Sequence, residues 1–297
     1  MSRTASDWSL STAVSDAFEL LKPEISFLVM ISAAGGFVLA SPAGSIDWIA
    51  LLHTVLGTGL AAGGSGVLNH VREMKHDAAM RRTQDRPLPA GRISVPAATV
   101  YGSVLALTGP LYLGLLVNVL TGVLAIATVA CYLLVYTPLK RVTTYNTLIG
   151  CIPGAMPALG GWVAATGTMG LGGAIFYAVL FAWQMPHFLA LAWMYRNDYE
   201  RGGFAMLPVL EPSGRSTAGQ TLFFTVLMVV FSLLPGLIDL VGWAYLLGAT
   251  ALGVYFLVPA LRFFHTRTNR TARRVLTASI VYVPVLVGLI LVDRTIL

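Results

Sequence analysis

Asn69, Glu73 and Asp77 stand four residues apart in GVLNHVREMKHDAAMRRTQDRPLPAGR, residues 66–92. On a helix this spacing lines three oxygen-bearing side chains along one stripe. Two carboxylates and an amide suit a hard cation such as Mg²⁺, which is usually shared with substrate phosphates. Arg72, Lys75, Arg81, Arg82 and Arg86 crowd the same segment, as a bound diphosphate requires. The plain alternative is a solvated basic loop with incidental acids.

A second acid, Asp198, lies in FAWQMPHFLALAWMYRNDYERGGFAMLP, residues 181–208, beside Arg196, Asn197 and Arg201. Facing the first stripe, it would complete a two-sided diphosphate site; otherwise it belongs to a helix-end charge cluster. Gly202, Gly203 and Pro208 suggest a mobile flap. His187 follows Pro186, which weakens a helix and frees backbone groups. An ionisable residue inside an apolar run is a functional candidate. It could ligate a haem iron, hydrogen-bond a propionate, act as a base, or be a satisfied core histidine. His53 reads as a core residue, and His70 and His76 as loop residues off the stripe. Asp47, Asp239 and Asp293 read as interface anchors or turn formers.

The elements that must position these groups are apolar. Of the 297 residues, 56% are hydrophobic and 11% charged, against about 25% charged in a soluble domain. This excludes a soluble enzyme, a disordered chain and a fibrous protein, and leaves a polytopic membrane protein. The charge-free runs are 25–46, 48–71, 93–139, 142–195, 216–238, 240–261 and 275–292. A spanning helix needs about 20 apolar residues. The two longest runs each hold two helices, divided near Leu115–Asn118 and Thr166–Gly170, so nine all-α spans are expected. The runs do not alternate as barrel strands would.

The cations orient the spans. All but Arg294 of the 19 Lys and Arg residues fall in the N-terminal tail or after spans 2, 4, 6 and 8. The positive-inside rule then places the N-terminus in the cytoplasm and the C-terminus outside. The expected organisation is a tail over 1–23 and one membrane domain over 24–293, its active-site cap formed by cytoplasmic loops near 69–95 and 195–217. Asp7, Asp16 and Glu19 do not suit an acid-poor transit peptide, so a bacterial inner membrane is expected. Cys131 and Cys151 lie in apolar runs without metal spacing and read as small core residues.

Taken together, these segments resemble the intramembrane prenyltransferases of the UbiA superfamily. That family has nine helices, an inside N-terminus, and acidic motifs after spans 2 and 6. Its NxxxDxxxD motif matches Asn69, Glu73 and Asp77, with Glu73 where Asp is usual. Within it, the haem-farnesylating branch is the nearest likeness. DRPLPAGR at 85–92 is similar to its RNRPxPxGR. The run YTPLKRVTTYNTLIGCIPGAMPALGGW at 136–162 is similar to its YTxxLKRxTxxN…GxxPxxxGW. WQMPHF at 183–188 is similar to WQxPHF, and NDYERGGFAMLP at 197–208 to DDYxRAGxxMLP, with Asn197 where the first Asp is frequent.

The resemblance implies farnesyl transfer from farnesyl diphosphate to a vinyl group of haem b, with addition of water. It implies Mg²⁺ on Asn69, Glu73, Asp77 and Asp198. It places Arg86, Lys140, Arg141 and Arg201 around the diphosphate, His187 and Trp183 at the acceptor, and Trp162, Phe188 and Tyr195 as further aromatic walls. Membrane lipid, and a haem-delivery or oxidase-assembly partner, would be its surroundings; no nucleic acid is expected. The rivals are a sister prenyltransferase acting on 4-hydroxybenzoate or a chlorin, a secondary transporter, and a non-catalytic membrane scaffold.

Overall fold

A computed structural model of the protein describes residues 10–295. Among these, nine helices are long and apolar enough to cross a membrane. The elements are α1 (Leu10–Leu20), α2 (Pro23–Ala40), α3 (Trp48–Ala79), α4 (Val95–Leu116), α5 (Val119–Ala130), a π-helical turn (Cys131–Tyr136), α6 (Thr137–Leu139), α7 (Asn146–Thr166), α8 (Leu171–Met194), α9 (Arg196–Arg201), α10 (Leu207–Leu210), α11 (Arg215–Leu237), α12 (Trp243–Thr266) and α13 (Asn269–Thr295). The fourth span is α5 continued through the π-turn into α6. The two expected breaks fall at Val117–Asn118 and Gly167–Gly170.

Two local features depart from the sequence reading. Residues 10–20 of the expected tail are helical, while Arg3 and Asp7 lie outside the described residues. The second span also does not end where its charges begin: α3 continues as helix to Ala79, so His70 and His76 are helical and not in a loop. A helix can carry charge beyond the apolar layer because its backbone remains bonded within itself.

Bundles in lipid close by small residues that let backbones approach. Gly64 of α3 faces the backbone of Ala106 in α4, and Gly36 of α2 faces the Ala158 carbonyl of α7. An added Cβ at either would meet main chain, which cannot move aside. The largest buried cluster joins α2, α7, α8, α11, α12 and α13 through residues such as Phe176, Trp183, Phe256 and Tyr282. The helices alternate in direction. The C-terminal ends of α3, α6, α8 and α12, and the N-terminal ends of α4, α7, α11 and α13, therefore share one side, here called the acidic end.

Candidate active site

The stripe is formed as the spacing demands. Asn69, Glu73 and Asp77 lie on one face of α3 and are 0%, 8% and 2% exposed. Burying carboxylates without partners is prohibitive, and each group here is met by a cation from elsewhere. Lys22, at the start of α2, donates from Nζ to Asn69 Oδ1. Lys140 Nζ donates to Glu73 Oε1 at 2.8 Å, and Arg86 donates to Asp77 Oδ2 at 3.0 Å. Asn69 Nδ2 also donates to Thr137 Oγ1 at 3.3 Å. Burial pushes the Lys22 ammonium down to about 7, against the opposing pull of Glu73. Burial works against Lys140 too, yet Tyr136, Glu73 and Tyr132 hold it well above the ordinary lysine value. The Lys140 ammonium also lies 4.7 Å from the Tyr136 ring centroid.

The π-turn explains how the fourth span reaches the stripe. Thr137 N–H bonds back to Tyr132 O, which leaves Leu133 O facing Pro138, a residue with no N–H. Arg72 supplies the missing donor. A cavity of about 210 Å³ opens between these elements, lined by Arg72, Glu73, His76, Thr137, Pro138 and Arg141. One acid and two guanidinium groups thus share one recess. Arg141 also approaches His76 Nε2 at 3.1 Å.

The second motif reaches the first through backbone and aromatic contacts. His76 Nδ1 is 2.8 Å from Gly202 O. Ala205 N–H donates to Lys140 O at 2.8 Å, and Asn146 Nδ2 donates to Ala205 O at 2.8 Å. The Arg82 guanidinium lies over the rings of Tyr195 and Tyr199, at 5.1 and 4.7 Å. The Gly202–Gly203 turn is therefore bonded down onto α3. The Asp198 carboxylate itself is not joined to the stripe: it pairs with Arg201, three residues on, at 3.0 Å.

Several expected substrate contacts have other partners here. Lys140 and Arg86 sit on the carboxylates of the stripe, and Arg201 on Asp198. Trp183 is buried and donates from Nε1 to Ser279 O at 2.8 Å. His187 Nδ1 is 2.8 Å from Ser279 Oγ. Trp162 packs against Gly170, Gly172 and Gly173 at the far end of the bundle, about 24 Å along α7 from Asn146.

The site suits a hard divalent cation by the chemistry of its donors. All are oxygen, and neither Glu73 Oε2 nor Asp77 Oδ1 has a hydrogen-bond partner among the described residues. No group of three His, Cys, Asp or Glu side chains forms a ready metal cage among them. Magnesium takes one or two carboxylates and completes its shell with water and substrate phosphate.

The profile of the UbiA prenyltransferase family matches residues 28–282. The chain belongs to this family. It is 54% identical to a protoheme IX farnesyltransferase of Salinibacter ruber, over 94% of this chain and 98% of that one. It is 42% identical to a protoheme IX farnesyltransferase of Solibacter usitatus, with the same coverage of both chains. Among solved structures, a digeranylgeranylglyceryl phosphate synthase superposes with TM-score 0.77 at 18% identity, covering 96% of this chain and 99% of that one. A UbiA homolog from Archaeoglobus fulgidus bound to DMAPP and Mg²⁺ gives 0.72 at 15% identity, covering 95% and 100%. These two likenesses show the UbiA fold.

In this UbiA chain, reading the sequence overlooks Lys22, His70 and His76 at the site, and places Arg72 there without its carbonyl partner. Lys22 is 47 residues from Asn69, and no local pattern links them. Arg72 and His76 act through carbonyls of other elements. His70 could have been found: seven residues from Asp77 is nearly two helical turns, so both share a face. Its Nδ1 stands 3.6 Å from Asp77 Oδ2, too far for a hydrogen bond, and both ring nitrogens are buried without a hydrogen-bond partner among the described residues.

Proposed function

We propose that this chain transfers a farnesyl group from farnesyl diphosphate to a vinyl group of haem b, with addition of water, to give haem O. The observation that carries the acceptor is the identity of more than half over nearly the whole length of a protoheme IX farnesyltransferase. The buried oxygen stripe ringed by cations supports the donor half.

The difficult step is separating diphosphate from an allylic carbon. Asn69, Glu73, Asp77 and Asp198 would hold Mg²⁺, which when bound neutralises the leaving group. Arg86, Lys140 and Arg201 would turn from their carboxylate partners, and Arg141 from His76, to diphosphate oxygens. Charge placed in advance is often the largest catalytic contribution. The C1–O bond breaks, diphosphate leaves with the electron pair, and the vinyl carbon attacks C1. Water then adds beside the pyrrole and releases one proton. Until then water must be kept out; Phe188 and Tyr195 would help wall the farnesyl cation, since ring faces attract positive charge. Trp183 and His187 would contact the porphyrin. By the positive-inside rule the N-terminus and active site face the cytoplasm of a bacterial inner membrane, with farnesyl and lipid sharing the gaps between helices.

The test is mass spectrometry of haem extracted after incubating purified protein with haem b, farnesyl diphosphate and Mg²⁺. Haem O is expected from the wild type and not from Asp77→Ala or Asp198→Ala. Near-normal product from either variant contradicts the diphosphate assignment, and absence of farnesylated haem from the wild type contradicts the acceptor.

A further inference from the structure

Trp183 and His187 are one helical turn apart on α8, and both grip the same residue of α13. Trp183 Nε1 donates to the Ser279 carbonyl at 2.8 Å. His187 Nδ1 lies 2.8 Å from the Ser279 hydroxyl. That hydroxyl has one proton, and Ser279 Oγ donates it to Leu276 O at 2.6 Å. Reversing it toward His187 would set two oxygen lone pairs against each other at that distance. Nδ1 must therefore carry the imidazole proton, and Nε2 is left with its lone pair.

Nε2 has no hydrogen-bond partner among the described residues and, unlike both nitrogens of His70, is not closed off from accessible space. The ring is held laterally, with Trp183 and Phe188 each at 5.3 Å between centroids. α8 packs against α2, α7, α11 and α13. His187 lies seven residues inside the acidic end of α8, about 10 Å in depth. A neutral imidazole whose Nδ1–H is anchored, and whose Nε2 is free, is the arrangement a protein uses to ligate a metal.

We propose that His187 Nε2 binds the haem iron axially, and that Ser279 is the positioning residue that fixes its tautomer and orientation. This rests on haem being the acceptor. Ligation through iron would hold the porphyrin at one depth in the bundle and present its vinyl edge to the farnesyl carbon.

Purified protein in nanodiscs is titrated with ferric haem b and followed by the Soret band and by EPR. The wild type is expected to give an imidazole-ligated spectrum. His187→Ala should lose that signature and bind haem at least about tenfold more weakly, and added imidazole should restore the spectrum. Ser279→Ala should bind about 10–100-fold more weakly, whereas Ser279→Thr, which keeps the hydroxyl, should match the wild type. Metal-free protoporphyrin IX should bind wild type and His187→Ala alike. Mg²⁺-dependent binding of farnesyl diphosphate, measured on each variant, reports that the fold is intact. A wild-type spectrum and affinity in His187→Ala would overturn the ligation, and the same result in Ser279→Ala would overturn the positioning role. Haem bound by the wild type without an imidazole signature would overturn the ligation and leave the acceptor reading standing. A folded wild type that binds no haem would overturn both.

Discussion

The two acidic motifs are built differently. Asn69, Glu73 and Asp77 are buried on one long helix, and their cations come from α2, the loop after α3 and the end of the fourth span. Asp198 stands on a helix of six residues and pairs with Arg201 on that same helix. The first motif can only be satisfied once distant parts of the chain have assembled. The second is satisfied locally, and Arg201 is 41% exposed. The first motif is thus set in place by the fold, while the second is held within its own short helix.

The largest effect should follow from the buried side. Asp77→Asn keeps the shape and removes the charge, and turnover measured by haem O formation should fall about 10²–10³-fold. Next comes Lys140→Met, which leaves Glu73 buried without its cation. Breaking such a pair costs about 3–5 kcal/mol, read as a lower unfolding midpoint; an unchanged midpoint would show that the clasp does not hold the fold. Arg82→Ala removes the cation resting on Tyr195 and Tyr199. It should cost about 1 kcal/mol and speed proteolysis within 196–206. The smallest change is expected of Arg201→Ala. An exposed pair within one short helix contributes about 0.2–1 kcal/mol, so the melting point should barely move. A large loss of stability there would erase the contrast between the motifs.

Much of this was legible in the chain. The charge gaps mark the nine spans because lipid forbids unpaired charge, and the i, i+4, i+8 spacing places Asn69, Glu73 and Asp77 together because the helix repeats every 3.6 residues. Other parts were not. α3 extends past its apolar run because helical hydrogen bonding does not depend on hydropathy. The shift to π-helix before Thr137 depends on packing and on Pro138, and no periodicity announces it. Lys22 at Asn69 and Ser279 at His187 are contacts across 47 and 92 residues, fixed only by how helices pack. Three of the expected cations, Arg86, Lys140 and Arg201, neutralise protein carboxylates in this structure, a choice that no spacing rule can make.

The central claim is that the two motifs serve one diphosphate. Isothermal titration with a non-hydrolysable farnesyl thiodiphosphate and Mg²⁺, on wild type, Asp77→Asn, Asp198→Asn and the double variant, tests it directly. Shared ligation predicts that the two losses are coupled, departing from additivity by about 0.5–3 kcal/mol. Losses that simply add would mean that Asp77 and Asp198 act on separate sites.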